Sequence, residues 1–157
     1  MHKRLGLVVA VVGVAALAVS SVGPATSDNP TGDGDHRHTV RVVSINTGEA
    51  FVDVGKKGFS IGDSFVFSSK LIRHGNTVGR AGVVCTFTST AREEAQCVGT
   101  AKLRRGQIAI QGLLAGDPRV FSFPITGGTG SLEAAGGTVV VRELSGNRER
   151  LTFHIIH

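Results

Sequence analysis

Cys85 and Cys97 are the only cysteines in the chain, and their setting decides between two kinds of chemistry. A thiol acts as a nucleophile when a histidine and an acid group stand beside it. Neither cysteine has such neighbours in the sequence. Two thiols in an exported chain instead suggest a disulfide. Both fall at odd positions on the apolar faces of consecutive extended runs, with Thr90–Glu94 available as the turn. A hairpin centred on Ala91 puts them opposite each other, close enough to bond. The alternative is a pair of buried free thiols.

Other groups carry weaker signals. Asp33, Asp35, His36 and His38 bring four metal-type ligands together. However, the Asp-x-Asp spacing is not followed by the Gly and distal Glu of a calcium loop. A solvated polar tail explains them better, and no metal site is expected. Thr126-Gly-Gly-Thr-Gly130 has a phosphate-loop flavour but lacks the Gly-Lys-Ser/Thr ending and the long helix that follows it. It reads as a tight turn in which glycine tolerates positive φ. His154 alternates out of phase with Leu151, Phe153 and Ile155, so it faces away from that apolar row; His157 is the terminus. Asp63 follows Gly62 as a strand-start residue. No cofactor motif is present.

The elements that must hold these residues have a period of two. Ala81, Val83, Cys85 and Phe87 alternate with polar or small residues, as do Cys97, Gly99, Ala101 and Leu103. Ile108 and Ile110, then Phe121, Phe123 and Ile125, then Leu151, Phe153 and Ile155 continue the pattern. Alternation puts one face on a core and the other in water, as in antiparallel sheets. Strands are expected near 39–46, 49–54, 63–72, 77–89, 95–105, 107–114, 119–126 and 137–144. The run 149–156 is a ninth candidate, which makes the short 49–54 segment doubtful as a full strand. Helix is expected only as one turn over Ser131–Ala135, capped by Ser131 and ended by Gly136. Many short strands with regular turns favour a barrel or sandwich, and closure removes the sheet edges.

Composition bounds the partners. His2-Lys3-Arg4, an uncharged apolar run from Leu5 to Val19, and the small residues Ser20, Ser21, Gly23 and Ala25 have the order of a secretory signal peptide. The apolar run is 15 residues, short of the ~20 that span a bilayer. Residues 1–25 are therefore expected to be cleaved, 26–38 to form a disordered leader, and 39–157 to form the domain, with no membrane attachment after cleavage and a secreted or cell-envelope location. The mature chain keeps 15 basic against 12 acidic side chains, a formal charge of +3. The basic residues are scattered, and the chain has no Trp or Tyr to stack bases. Nucleic acid is thus a poor partner despite the pI of 9.9. A homo-oligomer stays open.

The segments Ile61–Cys85, IGDSFVFSSKLIRHGNTVGRAGVVC, and Phe123–Gly137, FPITGGTGSLEAAGG, resemble the signature segments of the allene oxide cyclase barrel, whose relatives include plant dirigent proteins. The resemblance runs in order from about Val42 to Ile155. It implies an all-β fold, an antiparallel eight-stranded barrel with an interior that holds a small molecule. In the plant cyclases a Glu near the end of the first strand, an Asn two residues later and cavity aromatics including a Tyr surround the substrate. Here the matching strand reads Val42-Val43-Ser44-Ile45-Asn46. Asn46 fits the Asn, Ser44 replaces the Glu, and Phe67 and Cys85 match a cavity Phe and Cys. Asp63 and Arg142 are the groups to name for a dirigent-type role, without a residue-by-residue match.

If the odd-numbered face points inward, Phe65, Phe67, Val83, Phe87, Phe121, Phe123 and Phe153 offer an apolar lining. Ser44 and Asn46 would add polar contacts at one end. The expected function is a secreted dirigent-like barrel that binds an apolar small molecule and guides its conformation or coupling. The alternatives are a cyclase or isomerase of a reactive metabolite, and an envelope barrel with a packed interior.

Overall fold

The computed structural model describes residues 37–156. The expected signal segment, residues 26–36 of the expected leader, and Asp33, Asp35, His36 and His157 lie outside the described residues. Eight strands follow in order: β1 (Arg37–Val52), β2 (Ser64–Arg73), β3 (Asn76–Ser89), β4 (Glu94–Leu103), β5 (Gly106–Ala115), β6 (Val120–Gly128), β7 (Gly136–Glu143) and β8 (Arg148–Ile156). Each pairs antiparallel with the next, and β8 pairs back onto β1, so the sheet closes into a barrel. The antiparallel eight-stranded barrel that the resemblance implies is the one observed, where alternation alone left a sandwich open.

The runs at 39–46 and 49–54 are one strand, not two. β1 pairs β8 along its first half and β2 along its second, and a bulge between Asn46 and Gly48 joins the halves. The extra residue lets a long strand bend at the barrel rim. Asn46 stabilises the bulge locally: the Gly48 N–H donates to its Oδ1 at 2.9 Å, and its Nδ2 donates to Glu49 Oε2 at 2.7 Å. The run at 149–156 is the eighth strand.

Antiparallel order sends the loops after β1, β3, β5 and β7 to one end, called here the upper end. The opposite end is plugged. Leu71, Ile108 and Ile155 are fully buried there, and Leu132 joins them from a single 3-10 turn at Gly130–Leu132. That turn begins one residue earlier than expected and makes no side-chain cap; Ser131 instead donates its hydroxyl to the Arg105 carbonyl at 3.1 Å. The glycine-rich segment packs backbone to backbone on the β4–β5 turn. The Thr129 N–H donates to Gln107 O at 3.0 Å and the Ser131 N–H to Arg105 O at 2.9 Å. A Cβ at Gly128 would collide with the Leu132 carbonyl, so this glycine is required by close approach rather than by phosphate.

At the upper end the 53–63 loop is held by Asp63, which is fully buried. Its Oδ1 accepts the Val54 N–H at 2.8 Å and its Oδ2 the Ser60 N–H at 2.6 Å. The Val54 bond holds the carboxyl below its ordinary value of 3.8 against the opposing effect of burial, with Ser60 adding to the lowering. Stability from this group is complete above that ordinary value and is lost as pH falls through the lowered one. Asp63 is a loop bracket.

Cys85 and Cys97 are directly paired across β3 and β4 and are joined as a disulfide, with Cα atoms 4.0 Å apart. That close spacing is of the non-hydrogen-bonded kind of cross-strand pair. Both cysteines are buried and face the barrel interior. Replacing both by alanine is expected to lower the unfolding free energy by about 3 kcal/mol on the loop-entropy account. Urea denaturation of the two proteins measures this, and an unchanged midpoint would show that the bond adds nothing.

Candidate functional site

The inward face of the barrel is packed at the lower end and open above. A cavity of about 520 Å³ occupies the upper interior. Volumes of this order hold one small organic molecule. The wall is mostly apolar: Phe67 from β2, Val83 from β3, Ile110 and Leu114 from β5, Phe121 and Phe123 from β6, Val139 and Val141 from β7, and Leu151 and Phe153 from β8. The space exists because other inward positions carry small residues, among them Ala81, Cys97 and Ala101. Gly112 matters most. A Cβ there would stand 2.6 Å from the Phe123 ring, so the glycine is what lets that phenyl lie across the wall.

The mouth is polar. Asn46, Glu49, Asp117, Glu143, Asn147, Arg148 and Glu149 ring the cavity at the upper end. The β7–β8 loop is latched to the β1 bulge: the Asn46 N–H donates to Asn147 O and Asn147 Nδ2 donates to Asn46 O, both at 3.0 Å. The β5–β6 ladder pairs only Ile108–Ile110 with Ile125–Gly128, below the mouth. Above it, the loop carrying Asp117 and Pro118 forms part of the cavity wall.

Of the residues expected to bind a ligand, the structure brings seven to the chamber: Ser44, Asn46, Phe67, Val83, Phe121, Phe123 and Phe153. Phe65 and Phe87 stand outside that lining. They belong to a rim cluster in which Phe65 meets Phe51 at 5.1 Å, Phe67 at 6.0 Å and Phe87 at 5.7 Å between ring centroids, and Phe59 meets Phe87 edge-on at 4.5 Å. Asn46 faces the chamber, but both ends of its amide are engaged in the bulge. Arg142 is exposed on the outer face, and His154 is exposed beside Thr39, whose Oγ1 lies 3.4 Å from Nδ1. Among the described residues no group of three or more His, Cys, Asp or Glu side chains is placed to hold a metal.

Sequence reasoning missed the carboxylates of the mouth. Glu149 is half-buried, and burial, followed by the nearby Glu143 carboxylate, raises its carboxyl above the ordinary value of 4.5. Glu143 is its direct cross-strand neighbour and also pairs with Arg119 at 3.2 Å. The signal was available: Glu149 is in phase with Leu151, Phe153 and Ile155, so it belongs to the inward row. Ser44 is in phase with Val42 in the same way, and it is only 4% exposed.

The family model for the allene oxide cyclase barrel like domain matches residues 40–156. The chain belongs to that family. Among solved structures it is similar to a pyocyanin demethylase at 29% identity, with a TM-score of 0.68, over 76% of this chain and 100% of that one. It is also similar in fold to a pterocarpan synthase dirigent protein, at 16% identity and a TM-score of 0.65, over 88% of this chain and 99% of that one. A third similar fold is the Diels-Alderase of Streptomyces koyangensis, at 13% identity and a TM-score of 0.61, over 76% of this chain and 63% of that one. No curated protein sequence matches the chain.

Glu149 gives the site a pH signature. A carboxyl whose folded value is raised contributes stability that is complete below the ordinary value and is lost as pH rises through the raised one. Glu149→Gln removes that loss. The variant is expected to match wild type near pH 3 and to melt higher at pH 7. Thermal unfolding across that range checks it, and a variant less stable at pH 7 would contradict it.

Proposed function

We propose that the mature domain is a secreted binding barrel that takes one apolar small molecule into the upper chamber and fixes its conformation. The observation that carries this reading is the chamber itself: about 520 Å³, walled by phenyl and aliphatic side chains and closed at the far end by Leu71, Ile108 and Ile155. Burying an apolar molecule there gains about 25 cal/mol for each Å² removed from water. A side-chain-filled interior would offer no such space. Secretion is supported by the basic–apolar–small order of residues 2–25 and by the disulfide, which belongs to oxidising compartments.

A second reading, a cyclase or isomerase, is favoured by the carboxylates at the mouth. A rigid apolar chamber promotes ring closure by holding the reacting ends near their attack geometry. A half-buried carboxyl beside it adds a group able to hold or release a proton. The Diels-Alderase and the demethylase of similar fold support this reading. The proposal does not extend to the plant allene oxide reaction, because Ser44 stands where that chemistry has a Glu and the chain has no Tyr.

Phe67 is the residue to enlarge. N-phenyl-1-naphthylamine is a neutral apolar fluorophore suited to the chamber. Wild type is expected to bind it saturably. Phe67→Trp is expected to weaken binding by roughly tenfold, since losing about two methylenes' worth of burial has that effect. Equal binding by both proteins, or binding by neither, would contradict an interior site.

A further inference from the structure

Ser44 and Glu149 are direct partners across the β1–β8 ladder, and both line the chamber. Ser44 is only 4% exposed, and its hydroxyl, which makes no protein hydrogen bond among the described residues, opens onto the chamber rather than being sealed in the wall, where no side-chain oxygen or nitrogen lacks a partner. Its free direction is the cavity. The Glu149 carboxyl likewise makes no hydrogen bond among the described residues. Most of the other polar groups at the mouth are already engaged. Asn46 and Glu49 bond each other in the bulge, Glu143 bonds Arg119, and Arg148 donates to Ser145 O and Oγ at 3.2 and 3.0 Å. Two adjacent groups without protein partners on a mostly apolar wall have the pattern by which ligand pockets fix orientation.

We propose that Ser44 and Glu149 form the polar anchor of the chamber and hold the single hydrogen-bond acceptor, a carbonyl oxygen or ring nitrogen, of an otherwise apolar conjugated ligand. The inference rests on the chamber reading and names the ligand class for it. The charged groups that share the mouth with Glu149 are Glu49 from β1, Glu143 from β7, Asp117 from the β5–β6 loop and Arg148 from β8, with Arg119 bonded to Glu143. Carboxylates outnumber guanidiniums there, and burial acts in the same direction. The carboxyl therefore keeps its proton to a higher pH than an ordinary glutamate does, and a neutral carboxyl has an O–H to donate. Ser44 supplies a second O–H. Two donors aimed at one acceptor fix which end of a flat ligand enters the chamber. In a conjugated ligand they also draw electron density toward the anchored end.

The probes are 9-fluorenone and fluorene, which share a tricyclic shape and differ by the carbonyl. Wild type is expected to bind fluorenone more tightly than fluorene by roughly threefold to tenfold, the range of one hydrogen bond. This preference should decline as pH rises through the raised Glu149 value, while fluorene binding stays flat. The bound fluorenone carbonyl stretch should move to lower wavenumber. Glu149→Leu should lose the preference, the pH dependence and most of the shift while still binding fluorene, and Ser44→Ala should reduce the shift. Glu149→Gln keeps a donor at all pH and should keep a preference that no longer depends on pH.

Equal affinity for the two probes in wild type would overturn the anchor and leave the chamber reading standing. Fluorenone affinity that rises with pH, or a carbonyl shift unchanged in Glu149→Leu, would also overturn it. Failure of both probes to bind would overturn both readings.

Discussion

Backbone N–H and C=O groups along a strand need partners, and an open sheet leaves two edges without them. Here β8 meets β1 over nine residue pairs, from Arg37 opposite Ile156 to Ile45 opposite Arg148, and the sheet closes, with only the upper parts of β5 and β6 left without a ladder between them. Closure fixes the direction of every side chain, because alternate residues must point into the barrel. The chamber follows from which residues fall on those positions. Large side chains fill the lower end, while Ala81, Cys97, Ala101 and Gly112 leave room above. The disulfide sits in this wall and ties β3 to β4 where the lining is thinnest in side-chain volume.

The fold was legible because its main determinant is a period of two, and that period is written plainly in β3, β4, β6 and β8. The boundary between 39–46 and 49–54 was not legible as a bulge. Thr47 and Gly48 look like a turn, and only the Asn46 side chain, bonding Gly48 and Glu49, shows that the strand continues. Ser131 looked like a helix cap, yet its hydroxyl is taken by a carbonyl on the neighbouring turn, a contact 26 residues away in sequence. Such long-range competition has no local signature.

The candidate site was half visible. Phase alone finds Phe67, Val83, Phe121 and Phe123. It does not tell how far up the barrel a residue sits, so Phe65 and Phe87 share the inward phase but stand in the rim cluster. Glu149 carried the same phase signal as the apolar row below it. A charged residue in an inward register is the informative kind of exception, because burying a carboxyl is unfavourable unless something answers it. In this barrel burial and the Glu143 carboxylate raise the Glu149 carboxyl above its ordinary value, beside a buried serine on the neighbouring strand.

The proposed ligand space lies inside the barrel rather than on its apolar outer face, where Val66, Val84 and Val98 are exposed in register. Methyl-labelled protein titrated with fluorene and followed by two-dimensional NMR separates the two directly. Shifts at Val83, Val141 and Leu151, with Val66, Val84 and Val98 unmoved, are the predicted result. Shifts confined to the outer valines, or no shifts at saturating fluorene, would contradict it.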